Sequence, residues 1–332
     1  MKKFIAILMV ATMALSLFAF VGCTEKKANL KLGLGVVTTV SATDAADGEN
    51  GQGKATITAA AVLVDANGKI VKAFIDCADN AVEYTADGTA VAATAFKTKY
   101  EMGANYGMTN PAYGGTATKE WYEQADAFCG VIVGKTAAEV KALVAADYKG
   151  TEEVVNAGCT IYVSDFALAV EKAITNAVDS NATADSTLKL GVYTSQTTTD
   201  AAGDEDGSNK IETTFFAAAL DADKKVVAAS SDSVEVTFGF DAAGASTFDA
   251  GKAVLSKKEK GANYGMTNPA YGGTAKKEWF EQAAAFDAAC IGKTATEIQA
   301  LMGADYKGTA DLQSAGCTIY VSGLVMAASK IG

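Results

Sequence analysis

Few side chains here are of a type that could do chemistry, and those that are recur at a fixed spacing. Ala157-Gly158-Cys159-Thr160 sets a thiol and a hydroxyl beside a glycine, and the run returns as Ala315-Gly316-Cys317-Thr318. Gly103 to Ala117, containing Tyr106, Tyr113 and Pro111, returns as Gly261 to Ala275 with Tyr264, Tyr271 and Pro269. Glycine lets a backbone approach a ligand closely, and a tyrosine ring stacks on a planar molecule while its hydroxyl stays wet. The plainer reading of this loop is an Ω-type loop packed over the helix that carries Trp121. Other chemistry is thinly equipped. The chain has no histidine and no arginine, so the commonest general base, the Ser-His and Cys-His nucleophile pairs and imidazole metal sites are missing.

The repeat organises the whole chain. Leu30-Lys31-Leu32-Gly33 returns as Leu188-Lys189-Leu190-Gly191, and each of the three matches has an offset of 158 residues. That is far beyond the roughly 20 to 50 residues of solenoid units, so each copy is expected to be a domain with its own core. Leu30 to Ala42, Lys54 to Asp65 and Lys69 to Asp76 read as strands, with Asp65-Ala66-Asn67-Gly68 as a turn. A helix from about Lys119 puts Trp121, Ala125, Phe128 and Ile132 on one face. Capping boxes at Thr136/Glu139 and Thr294/Glu297 start a second helix, and a third begins near Ser164. The fold class is α+β: two tandem homologous domains, each a small antiparallel sheet followed by about three helices. Residues 30–174 form copy one, 175–187 a polar linker and 188–332 copy two.

In front of the repeat stands a leader. Met1-Lys2-Lys3 is positive, Phe4 to Phe20 is apolar, and Phe20-Val21-Gly22-Cys23 ends as a lipobox does. Residues 1–22 therefore read as a lipoprotein signal peptide, Cys23 as the lipidation site and 23–29 as a lipidated tether. Loss of Lys2 and Lys3 with the leader takes the formal charge from -11 to -13, which argues against nucleic-acid binding.

Several tempting motifs fail. Gly130 to Thr136 is one residue short of a phosphate-binding loop and reads as a helix end followed by the next cap. Asp44, Asp47, Glu49 and Asn50, with Asp204, Glu205 and Asp206, do not have EF-hand spacing, and solvated hairpin tips explain them. Cys77, Cys129, Cys159, Cys290 and Cys317 are odd in number and contain no C-x-x-C pair, so neither a disulfide framework nor structural zinc is expected.

Ala157 to Thr160, followed by the helix from Ser164 to Ala173, resembles the flavinylation segment of FMN-binding domains, and Ser314 to Thr318 before Ser322 resembles it again. The Asp65-to-Ile70 hairpin is similar to a turn of the same family, as are the Tyr-Gly-Met and Lys119-to-Gln124 segments. The resemblance implies covalent FMN, attached by a flavin transferase through a phosphodiester to Thr160 and Thr318. Gly158, Gly316, Cys159, Cys317, Tyr106, Tyr113, Tyr264 and Tyr271 would surround it. A hydroxyl ahead of a helix would also set the phosphate near unpaired backbone N–H groups. The departures are Ala157 and Cys159 in place of Ser and Ala, and the three residues Ile161 to Val163 before the helix. The competing reading of these residues is a buried strand Cys159 to Val163.

Anchor, tandem copies and paired threonines together are similar to the flavinylated surface lipoproteins of Gram-positive extracellular electron transfer. That resemblance implies an electron carrier rather than an enzyme, on the outer face of the cytoplasmic membrane. It would take electrons from a membrane quinol-oxidising redox protein and pass them to an extracellular acceptor. The alternative is a flavin-free surface binding lipoprotein, either a solute receptor or an adhesion module.

Overall fold

Copy one opens with three long strands, β1 (Lys31–Thr43), β2 (Gly51–Val64) and β3 (Ile70–Tyr84), followed by the short β4 (Ala90–Val91). A computed structural model describes residues 28–46 and 48–332; the leader, Cys23 and Asp47 lie outside the described residues. Between β2 and β3, Asp65 Oδ1 accepts from the amides of Asn67 and Lys69 at 2.8 and 2.9 Å, and Gly68 supplies the left-handed φ of 74° that the turn needs. Five helices follow: α1 (Lys99–Met102), α2 (Trp121–Ile132), α3 (Ala137–Lys141), α4 (Glu152–Asn156) and α5 (Ser164–Thr175). The chain then returns as β5 (Val178–Asp179), which pairs with Lys31 and Leu32 and completes an antiparallel sheet of order β4-β3-β2-β1-β5. The segment read as a linker therefore contributes a strand to this sheet, and Ala182 within it is fully buried.

Copy two repeats the plan with β6 (Thr187–Thr199), β7 (Gly207–Leu220) and β8 (Val226–Phe240). Its helices are α6 (Lys257–Lys260), α7 (Trp279–Cys290), α8 (Ala295–Gln299), α9 (Ala310–Ser314) and α10 (Ser322–Ala328).

Each sheet is buried on both faces, which the sequence reading did not anticipate. In β2, Ala59, Ala61 and Leu63 point into a core shared with the other sheet, while Ala60, Val62 and Val64 point into a core under copy one's own helices. Alternation of side chains along a strand makes this division automatic. The shared core holds Leu32, Leu34 and Ile57 from copy one against Leu190, Phe215 and Phe238 from copy two. The order of layers is helices, sheet, sheet, helices.

Contacts between the copies come in reciprocal pairs. Lys172 on α5 meets Glu259 on α6 at 2.5 Å, and Lys330 after α10 meets Glu101 on α1 at 2.5 Å. The amide of Ala45 donates to Gly244 O and that of Ala201 to Gly88 O, both at 2.8 Å. Asp44 Oδ1 accepts from Ser246 N and Asp200 Oδ1 from Ala90 N, again both at 2.8 Å. Asp44, read as part of a solvated tip, thus binds the other copy. Pairs of this kind define an isologous, two-fold-like contact within one chain.

The structure also corrects the strand register of the repeat. Gly35 pairs with Ala60 and Gly191 with Phe216, and a Cβ on either glycine would collide with a helix carbonyl, Ala169 O at 2.1 Å or Ala327 O at 2.0 Å. Gly35, not Gly33, is the counterpart of Gly191. In the strands the offset is 156 residues, as Ala60↔Phe216 shows; in the helices it is 158, as Ala169↔Ala327 shows.

Candidate functional site

Thr160 is exposed at the end of an irregular turn whose neighbours Cys159 and Val163 are fully buried. The segment is not the buried strand considered above; its one bridge pairs Tyr162 with Lys149. The bonds that hold Thr160 come from α2. Gln124 Oε1 accepts from the Thr160 amide at 2.8 Å and from its hydroxyl at 3.0 Å, while Gln124 Nε2 donates to Lys119 O at 3.0 Å. The last bond fixes which end of the amide faces the threonine. Copy two matches: Gln282 Oε1 accepts from Thr318 N and Oγ1 at 2.8 and 3.0 Å, and its Nε2 donates to Lys277 O at 2.9 Å.

As the sequence spacing implies, three residues separate Thr160 from Ser164, and Val163 rather than the threonine is the N-cap of α5. The nearby cation is a lysine. Lys119 lies across Gly158, where a Cβ would stand 2.2 Å from its Nζ, and Nζ donates to Ala157 O at 3.3 Å. Lys277 crosses Gly316 in the same way, at 2.2 Å. Both glycines have positive φ, 98° and 106°, so they are required twice over, for conformation and for clearance.

Cys159 and Cys317 are not part of the exposed site. Both are fully buried, and burial pushes each thiol up to about 11. They act as small apolar anchors that seat the threonine turn on the core. All five described cysteines are free and buried.

The tyrosine- and glycine-rich loops divide as well. Glu120, which caps α2, accepts from Met108 N and Thr109 N at 3.0 Å and from Thr109 Oγ1 at 2.5 Å; these bonds, the hydroxyl's first, hold its carboxyl below the usual range. Glu278 does the same for Met266 and Thr267. Tyr106 packs at the edge of the helix-side core under Lys99 Nζ, 5.2 Å from its ring centre, and Tyr264 lies under Lys257 and Lys260. Tyr113 and Tyr271 are exposed, each against the backbone of Gly107 or Gly265. The loops are thus pinned to the start of α2 and α7, as the packed-loop reading has it.

Other tyrosines flank the threonines. Tyr148 O accepts from Val163 N, three residues past Thr160, and Tyr162 bridges Lys149, whose Nζ sits 5.8 Å from the Tyr162 ring centre. Tyr148 and Tyr162 are 65% and 66% exposed, as are Tyr306 and Tyr320 at 61% and 68%. Tyr148 and Tyr306 also have positive φ, 66° and 62°, a costly conformation for a non-glycine residue that both copies keep. Each threonine is thus held by a fixed glutamine, on a turn that also carries the lysine-covered glycine and two exposed tyrosines.

Among the described residues no helix is long and apolar enough to cross a membrane. Comparison with family models, curated proteins and solved structures found no match for the chain.

Proposed function

We propose that the protein carries covalent FMN on Thr160 and Thr318 and works as a surface-anchored electron carrier. The observation that carries this reading is the duplication of one arrangement: an exposed threonine hydroxyl, oriented by Gln124 or Gln282, two residues past a glycine covered by Lys119 or Lys277. In this reading the glutamine keeps its bond to the threonine amide after the hydroxyl proton is lost. The lysine ammonium balances the phosphodiester anion. Tyr148 and Tyr162, or Tyr306 and Tyr320, offer ring faces near the tether. FMN supplies reversible electron uptake at its ring system, and the chain supplies tether, charge and shielding. Cys23 would carry the lipid, a flavin transferase would load the cofactor, and a membrane quinol-oxidising protein and an extracellular acceptor would be the electron partners.

The test is the intact mass of the denatured protein after coexpression with a flavin transferase. Two additions of FMN minus water are expected, falling to one in Thr160→Ala or Thr318→Ala and to none in the double variant. An unmodified mass, with the transferase active on a control substrate, would refute the reading.

A further inference from the structure

The two copies differ where copy two meets the edge of copy one. There a cavity of about 870 Å³ opens between β5 and Asn181 on one side and the start of β8, α6 and one face of α7 on the other. Small-molecule sites commonly enclose about 300 to 1,000 Å³. The equivalent region of copy one is filled by its own rings: Phe74 and Tyr100 lie 4.7 Å apart, and Tyr100 and Tyr122 5.8 Å apart. Copy two has Ser230, Lys258 and Phe280 at those three positions, and Asp287 where copy one has Cys129. Two rings are replaced by polar side chains, and a carboxyl is placed in a core position.

That carboxyl is incompletely partnered. Asp287, a lining residue, is only 7% exposed; its Oδ2 accepts from Ser231 N at 3.0 Å, whereas its Oδ1 and the neighbouring Ser231 Oγ have no hydrogen-bond partner. Lys258 Nζ stands 4.0 Å from Asp287 Oδ2 and 3.0 Å from Ser230 Oγ. A buried acceptor without a donor is costly and calls for an explanation. The charges on the walls are already balanced by protein groups: Asp287 by Lys258, Glu259 by Lys172 at 2.5 Å and Asp179 by Lys31 at 3.5 Å. A net-charged ligand would upset that balance. Leu32, Leu34, Val178, Val227, Phe280 and Ile291 make an apolar patch on the wall, with asparagine and serine side chains beside it.

We infer that copy two binds a small neutral organic molecule here, with an apolar body and an amide-type head that accepts from Lys258 and donates to Asp287. The site is separate from Thr160 and Thr318 and does not depend on whether they carry flavin.

Calorimetric titration of the full chain with 2-naphthamide, 2-naphthoate and 2-naphthylmethylammonium tests it, since the three share one body and differ in the head. One equivalent of the amide should bind, at least tenfold tighter than either ion. Ser230→Phe with Lys258→Tyr, which restores the rings of copy one, should abolish binding. No binding of the amide, equal binding of all three, or binding unchanged in a folded double variant would overturn the proposal. Methyl NMR on the unaltered protein needs no variant: amide-induced shifts at Leu32, Val178, Val227 and Ile291 support the site, and shifts only elsewhere, or none, reject it.

Discussion

The rings of Tyr84 and Phe240 stack 4.5 Å apart and 9° from parallel, and the two residues hold the same place at the ends of β3 and β8. A residue that meets its own counterpart marks the axis of a two-fold-like contact. Both rings are fully buried, and a Cβ on Gly51 or Gly207 would strike its copy's own ring, so each ring is held from behind. Tyr84→Ala should cost about 3 to 5 kcal/mol, the usual range for removing a buried aromatic side chain. Because the sheets share a core, Trp121 and Trp279 should report one urea midpoint before and after the change. Two separated midpoints, read from the single-tryptophan variants, would show that the copies unfold independently.

Gln124→Ala leaves Thr160 exposed but releases its hydroxyl and amide from their common acceptor. Flavin loading at Thr160 should fall at least tenfold, by the mass assay, while Thr318 in the same molecule loads normally. Equal loading at both threonines would show that the glutamine does not orient the acceptor.

Gly158→Ala asks an alanine to adopt φ of 98° and to displace Lys119. Strain of this kind costs on the order of 1 to 3 kcal/mol, and the melting temperature should drop accordingly. Lys119→Ala in the same background should recover only the part due to crowding. Full recovery would mean that backbone conformation contributes nothing.

Burial raises the Asp76 carboxyl to about 7 against the bonds from Thr98, Cys77 and Tyr100 that favour its charge, and burial likewise raises Asp232 and Asp287. Unfolded, such groups titrate near 3.9, so between about pH 4 and 7 the folded protein holds more protons than the unfolded chain. The contribution of Asp76 to stability must then fall as pH rises through that window, by up to roughly 1.4 kcal/mol per pH unit. Urea midpoints should be lower at pH 8 than at pH 5, and Asp76→Asn should flatten the profile. An unchanged slope in that variant would remove Asp76 from the account.

Much of the local structure was legible. The Thr136/Glu139 and Thr294/Glu297 boxes start α3 and α8, and the apolar face through Trp121, Phe128 and Ile132 is the buried face of α2. β3 runs on to Tyr84 rather than stopping near Asp76, because pairing with β2 carries it through Asp79 and Glu83. The face-to-face sheets were hidden for a simple reason: an apolar residue reads the same whether it turns to its own helices or to the other copy. The threonines stand out in the sequence by their repeated motif, but what holds them does not, since Gln124 lies 36 residues earlier and only the seating of α2 on the sheet brings it there. Tyr148 and Tyr162 carry no periodic signal at all.

The reciprocal ion pairs Lys172–Glu259 and Lys330–Glu101 would belong to a homodimer if the copies were separate chains. Such a dimer comes apart on dilution, by mass action. Joining the halves through residues that themselves pair and pack holds them at a fixed effective concentration, so the assembly does not depend on how many molecules are present. Fusion also frees the halves from having to be identical, and Asp287, where the first half keeps a cysteine, is a change that two copies of one chain could not make on one side only.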